Sequence, residues 1–111
     1  MRQYHIDELQ PEDIARFVKS LEDNGMTGIM EGLYWLEMPK EMLNEEQVDH
    51  FDECGPYVMG IEIGEDWVRL ELLVRAKNRM RCSCVTYANT KQRDYGMDAL
   101  DGMLKELDIP V

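Results

Sequence analysis

Long apolar runs are missing from this 111-residue chain. No stretch approaches the roughly 18 to 20 residues that a membrane helix needs, and no basic start leads into an apolar segment of signal-peptide type. A cytoplasmic protein is therefore expected, with no membrane partner. Cysteine is scarce and odd in number, three in all, which fits a reducing compartment better than a disulfide framework. Only His5 and His50 represent histidine, so there is little material for a Cys-His nucleophile. Cys54 has His50 one helical turn away, but Asp49, Asp52 and Glu53 crowd it, and neighbouring acids work against thiolate formation. The motifs G-x-S-x-G, G-x-G-x-x-G, H-E-x-x-H and the P-loop do not occur, and Gly60 and Gly64 lack the following helix that a phosphate loop requires. A non-enzymatic protein is the expectation.

Basic side chains are few as well. Twelve Lys and Arg face 23 Asp and Glu, a formal net charge of −11 and a pI near 4.5. That balance disfavours non-specific attraction to nucleic acid or anionic membrane. Trp67, Arg69, Arg81 and Tyr87 are the ingredients of a single-strand binding platform, yet no ribonucleoprotein motif accompanies them and the molecule as a whole repels a polyanion.

The charge that is present reverses along the chain. Residues 69 to 93 hold seven basic residues (Arg69, Arg75, Lys77, Arg79, Arg81, Lys91 and Arg93) and a single acid, Glu71, whereas the preceding 68 residues hold four basic and seventeen acidic ones. The basic block must meet an anionic partner, the chain's own acidic helix over Glu41 to Glu53, or a second copy. Nine methionines supply flexible side chains for an irregular core or an adaptable surface.

With 44% hydrophobic residues in clear periodicities, residues 1–111 are expected to form a single domain. Pro11 suits a first helical turn with Glu12 and Asp13 behind it, Ile14, Phe17, Val18 and Leu21 share one face, and Gly25 is placed to stop the helix. Helices are predicted over about 11–24, 40–54 and 94–107, the last with Met97, Leu100, Met103, Leu104 and Leu107 on its stripe. Gly96 and Gly102 weaken it by roughly 1 kcal/mol each unless they allow close packing on a sheet. Arg2 to Leu9 suggests a short edge strand. In Ile29 to Glu37 both parities are partly apolar, so that strand is expected to be covered on two faces, or on one face plus a subunit contact.

A three-strand antiparallel meander is predicted over about 57–63, 68–76 and 80–88. A four-residue loop pairs Ile63 with Val68, Ile61 with Leu70 and Met59 with Leu72. A three-residue loop Lys77-Asn78-Arg79 then pairs Val74 with Cys82 and Leu72 with Cys84. The result is an α+β two-layer sandwich with helices mainly on one face and one or two strands besides the meander. Its outer face would set Glu62 against Arg69, and Arg75 against Arg81, a like-charge pair that invites an anion.

The outer face (Arg69, Leu73, Arg75, Arg81, Val85 and Tyr87, with Lys77 and Arg79 at the hairpin tip) has an apolar centre rimmed by charge, the make-up of a modest interface. A homodimeric interaction or regulatory domain that docks an acidic surface is the leading expectation. Two alternatives come from other classes. One binds a small anion or nucleotide through Arg75, Lys77, Arg79 and Arg81. The other binds zinc through His50, Cys54, Cys82 and Cys84, a Cys₃His set. Against zinc, the expected register turns Cys82 and Cys84 into the apolar layer beside Val74 and Leu72, where free cysteine behaves as a small hydrophobe, so no cofactor is the main expectation.

Overall fold

The computed structural model describes residues 2–111. In chain order the elements are β1 (Gln3–Ile6), α1 (Pro11–Asp23), β2 (Leu33–Glu37), α2 (Glu45–Asp49), α3 (Phe51–Cys54), β3 (Tyr57–Ile63), β4 (Val68–Glu71), β5 (Leu73–Ala76), β6 (Thr86–Tyr87) and α4 (Thr90–Glu106). The six strands form one antiparallel sheet, giving the expected α+β architecture. No helix among the described residues is long and apolar enough to cross a membrane.

The most apolar strand, β3, lies inside the sheet. β2 pairs along one edge, with Tyr34 opposite Ile61 and Leu36 opposite Met59. The other edge takes β4 and then β5. β1 and β6 share the next position end to end, on β4 and β5 respectively. They meet at Leu72, whose N–H donates to the Arg2 carbonyl at 3.0 Å and whose carbonyl accepts from Ala88 N at 3.0 Å.

The first hairpin keeps the predicted register: Ile63 faces Val68 and Ile61 faces Leu70. Beyond it the register slips. Ile61 pairs with Leu70 but Val58 pairs with Arg75, so two surplus residues bulge out between β4 and β5, and Met59 is not matched to Leu72 as predicted. Because the surplus is even, side-chain parity survives. Val68, Leu70, Leu72, Val74 and Ala76 all remain buried.

The third meander strand departs further. Only Thr86–Tyr87 is extended, with Val74 opposite Thr86 and Leu73 opposite Tyr87, so the predicted pairs of Val74 with Cys82 and Leu72 with Cys84 do not form. Residues 77–85 make a loop instead. Lys77 N donates to Pro56 O at 2.9 Å, Asn78 N to Cys54 O at 3.1 Å, and Asn78 Nδ2 to Gly55 O at 2.5 Å. Backbone groups must find partners somewhere, and this stretch, with no β-branched residue from Lys77 to Cys84, finds them off the sheet.

The predicted helix over 40–54 is also broken. A 3-10 turn at Lys40–Met42 gives way to α2, whose cap is Asn44. The Asn44 side chain accepts from Gln47 N at 2.8 Å and Asn44 N donates to Gln47 Oε1 at 3.0 Å, a capping box. The same device, Asn89 with Gln92 at 2.8 and 3.1 Å, starts α4 at Thr90 rather than at 94. At the end of α1, Gly25 has φ +69°, and Gly25 N and Met26 N bond Glu22 O and Leu21 O, each at 3.0 Å, which is the Schellman termination.

Phe17 and Leu21 of α1 and Leu100 and Leu104 of α4 bury against the sheet's inner face, formed by Tyr57, Met59, Ile61, Val68, Leu70 and Val74. The two glycines of α4 divide in role. A Cβ on Gly96 would lie 3.0 Å from a Leu70 methyl and 3.1 Å from the Met59 thioether, while one on Gly102 would meet nothing within 4 Å. Gly102→Ala is therefore expected to stabilise the protein by about 0.5–1 kcal/mol. Gly96→Val is expected to destabilise it by about 1–3 kcal/mol. Urea denaturation of both variants checks the pair, and equal responses would refute the close approach of α4 to the sheet.

Candidate metal centre

Two short segments converge at one end of the sheet. His50 closes α2, and Cys54, one turn later, ends α3; the bond from Cys54 N to His50 O at 2.9 Å sets their shared face. The other segment is the loop Cys82-Ser83-Cys84, turned by the Val85 N to Cys82 O bond at 3.0 Å. One ligand atom from each of His50, Cys54, Cys82 and Cys84 falls in a group whose members all lie within 4.8 Å of one another. A tetrahedral zinc site with Zn–S of about 2.3 Å has ligand edges of about 3.8 Å, so no separation in the group exceeds that of a closed site by more than about 1 Å.

Cys54 and Cys84 form the floor, fully buried, and His50 and Cys82 are half-buried at the mouth. His50 Nδ1 lies 3.1 Å from Cys82 Sγ. Hydrogen bonds from Cys84, backbone first, and then from His50 bring the Cys82 thiol down to about 6. Contact with Cys82 raises the His50 imidazole above its usual value. Burial, reinforced by the Cys82 and Cys54 sulfurs, pushes the Cys84 thiol up to about 11. The pocket thus already favours one thiolate and holds a second thiol neutral. Tyr57 borders the group: burial first, and then the cysteine sulfurs, hold its phenol well above the ordinary range. No hydrogen bond reaches the Tyr57 hydroxyl. A buried donor without a partner beside three sulfurs suits a centre in which those sulfurs are thiolates, since ligands of a metal are commonly held by such outer hydrogen bonds.

No family model, curated protein or solved structure matches the chain. The geometry of these residues alone carries the functional reading.

The loop is held from behind by two fully buried glutamines. Gln47 Nε2 donates to Cys84 O at 3.2 Å, and Gln92 Nε2 donates to Gln47 Oε1 at 2.9 Å and to Met42 O at 3.0 Å. The start of α2, the start of α4 and the cysteine loop are therefore one hydrogen-bonded unit. Neither glutamine stood out in the sequence as a site residue, although the repeated N-x-x-Q spacing at Asn44–Gln47 and Asn89–Gln92 is a readable signal. Nothing in the sequence around Tyr57 hints at its cysteine neighbours.

The residues expected on the outer face keep some neighbours and lose others: Leu73 pairs with Tyr87, while Arg75 and Arg81 separate. Arg69 bonds Glu62 at 2.9 Å across the strands, as predicted, and stacks on Trp67 with its guanidinium carbon 4.6 Å from the ring centroid. Arg75 does not lie opposite Arg81. It faces Val58 across the strands and grips Glu71 with two bonds of 2.6 and 3.0 Å. This removes the like-charge pair that favoured an anion there. Leu73 and Val85 are half-buried and Tyr87 is exposed, stacked by Arg2 at 4.7 Å. Lys77, Arg79 and Arg81 stand on the exposed loop. Arg79 reaches Glu53 at 3.4 Å, so one ion pair joins the basic loop to the acidic segment, one of the three outcomes the charge reversal allows, and Ser83 donates to Glu46 beside it.

Proposed function

We propose that this chain is a small, non-enzymatic, cytoplasmic interaction domain built around a Cys₃His zinc centre. The observation that carries the reading is the convergence of His50, Cys54, Cys82 and Cys84, with every ligand atom within 4.8 Å of the others. Three sulfurs and an imidazole match zinc's preferences, and four protein ligands fill its tetrahedral shell, leaving no position for substrate. Such a centre is structural. It would staple the acidic α2–α3 segment to the loop and hold the cationic tip Lys77, Arg79 and Arg81 in a fixed place for a partner. The register that argued against zinc does not form: Cys84 is still buried in the core, but beside Cys54, Cys82 and His50 rather than opposite Leu72. Elemental analysis of tag-free protein, purified without chelator and corroborated by native mass spectrometry, should find one zinc per chain. Protein that stays metal-free after incubation with equimolar zinc under reducing conditions would refute the proposal.

The 3.1 Å approach of His50 to Cys82 supports one other reading, a reactive thiolate–imidazolium pair. In metal-free protein, iodoacetamide should modify Cys82 before the buried Cys54 and Cys84, with a pH midpoint near 6; zinc should suppress the reaction. Rapid modification in the presence of stoichiometric zinc would favour the reactive-thiol reading over the structural one.

A further inference from the structure

The helices cover the inner face of the sheet. The outer face holds a groove of about 920 Å³ that the metal centre does not use. Its floor is Leu33, Trp35 and Val58, the apolar residues of β2 and β3 whose parity points away from the helices. Partners across the strands confirm this: Tyr34 and Leu36 oppose the inner residues Ile61 and Met59, while Trp35 opposes Gly60. The doubly apolar pattern of β2 thus has an inner half that is packed and an outer half, Leu33 and Trp35, left half-buried.

The groove's two walls carry three of the most exposed apolar side chains of the molecule. Ile29 and Met30, 76% and 64% exposed, precede Gly32, whose carbonyl accepts from Ile63 at the end of β3; Met80, 81% exposed, follows Lys77, which donates to Pro56 O beside the start of β3. Scattered exposed residues need no explanation, but a cluster of this kind around an apolar floor marks an interaction surface. The walls also differ in charge. Glu31 follows Ile29 and Met30 and Lys77 precedes Met80, while the other charged lining residues, Glu62, Glu71 and Arg75, are held in ion pairs on the sheet. Among the described residues neither Glu31 nor Lys77 takes part in an ion pair within the chain.

A surface with one acidic and one basic apolar wall is complementary to itself. In a twofold arrangement each contact is made twice with the roles reversed, so the Met80 wall of each copy can enter the groove of the other and set Lys77 near the partner copy's Glu31. We propose that the outer-face groove is a self-association site, filled by the Met80 loop of a second copy of this chain. The charges on the walls select this occupant: a wholly acidic partner would satisfy Lys77 and repel Glu31, whereas a second copy satisfies both.

Sedimentation equilibrium of the full chain at near-physiological salt tests it. A monomer–dimer equilibrium is expected, and Met80→Asp should weaken it by about tenfold or more, the usual effect of losing a central interface anchor. Since Met80 is exposed, its melting as a dilute monomer should match that of wild type, which separates lost association from lost folding. Lys77→Glu should also weaken the dimer, and adding Glu31→Lys should restore it. A protein that is monomeric throughout the micromolar range overturns the proposal. So does a dimer indifferent to Met80→Asp, or one that the double charge exchange fails to rescue.

Discussion

On the zinc reading proposed above, treating zinc-loaded protein with a chelator, or replacing Cys84 by serine, is expected to lower the melting temperature by about 15 °C. The magnitude follows from linkage. An ion bound only by the folded state at about a thousand times its dissociation constant contributes about 4 kcal/mol, and for a domain of this size each kcal/mol corresponds to about 4 °C. Cys84 is the ligand to test because it is fully buried and its thiol is held neutral, at about 11, without a metal; serine would keep its shape and lose its affinity for zinc. Unlike a zinc finger, this domain should remain folded after the loss, since Phe17, Leu21, Tyr57, Ile61 and Leu100 form a core that owes nothing to the ion. The loop from Lys77 to Val85 should be the part that loosens, seen as faster amide exchange there. Calorimetry with and without chelator reads the first effect. If Cys84→Ser and wild type melt alike in excess zinc, the Cys₃His centre is wrong.

Gln47→Ala is expected to cost about 3 kcal/mol, more than most losses of a half-buried polar group. Three separate losses combine. The capping box of α2 loses its reciprocal bond, worth about 1 kcal/mol. The Cys84 carbonyl and one N–H of Gln92 lose their partners in the interior, and each unsatisfied group costs about 1–3 kcal/mol. Their sum is not strictly additive, because the three bonds share one side chain. Gln92→Ala should behave similarly, and the double variant should cost clearly less than the two single ones together, since both remove the same 2.9 Å bond. Denaturant titrations of the three variants measure this coupling. Additive losses would show that the glutamines act as independent caps and not as a bridge. The Gln47 variant should also bind zinc less tightly, because its amide holds Cys84 in place.

Much of the scaffold could be read from residue order alone. The Ile63–Val68 and Ile61–Leu70 pairs follow from matching apolar positions across a four-residue loop, and α1 from its spacing, its Pro11 start and its Gly25 stop. These are local relations, in which neighbours in sequence determine neighbours in space. The failures share a cause. Alternation places Cys82 and Cys84 on a strand, yet the backbone of residues 77–78 bonds to carbonyls of Cys54 and Pro56, more than twenty residues away. Arg75 was set against Arg81 by the same register, and the two-residue bulge between Leu70 and Arg75 cancels it.

By itself the sequence determined the α+β class, the inward face of β3 and β4, the charge reversal and the four residues able to bind a soft metal. Tertiary structure alone decided that His50, Cys54, Cys82 and Cys84 meet, that Gln47 and Gln92 bridge behind them, and that Leu33 and Trp35 lie in an open groove between walls of opposite charge. Periodicity records which way a side chain points within its own element. Which elements then stand side by side depends on loop closure and on where the unpaired backbone groups find partners, and those are properties of the whole chain.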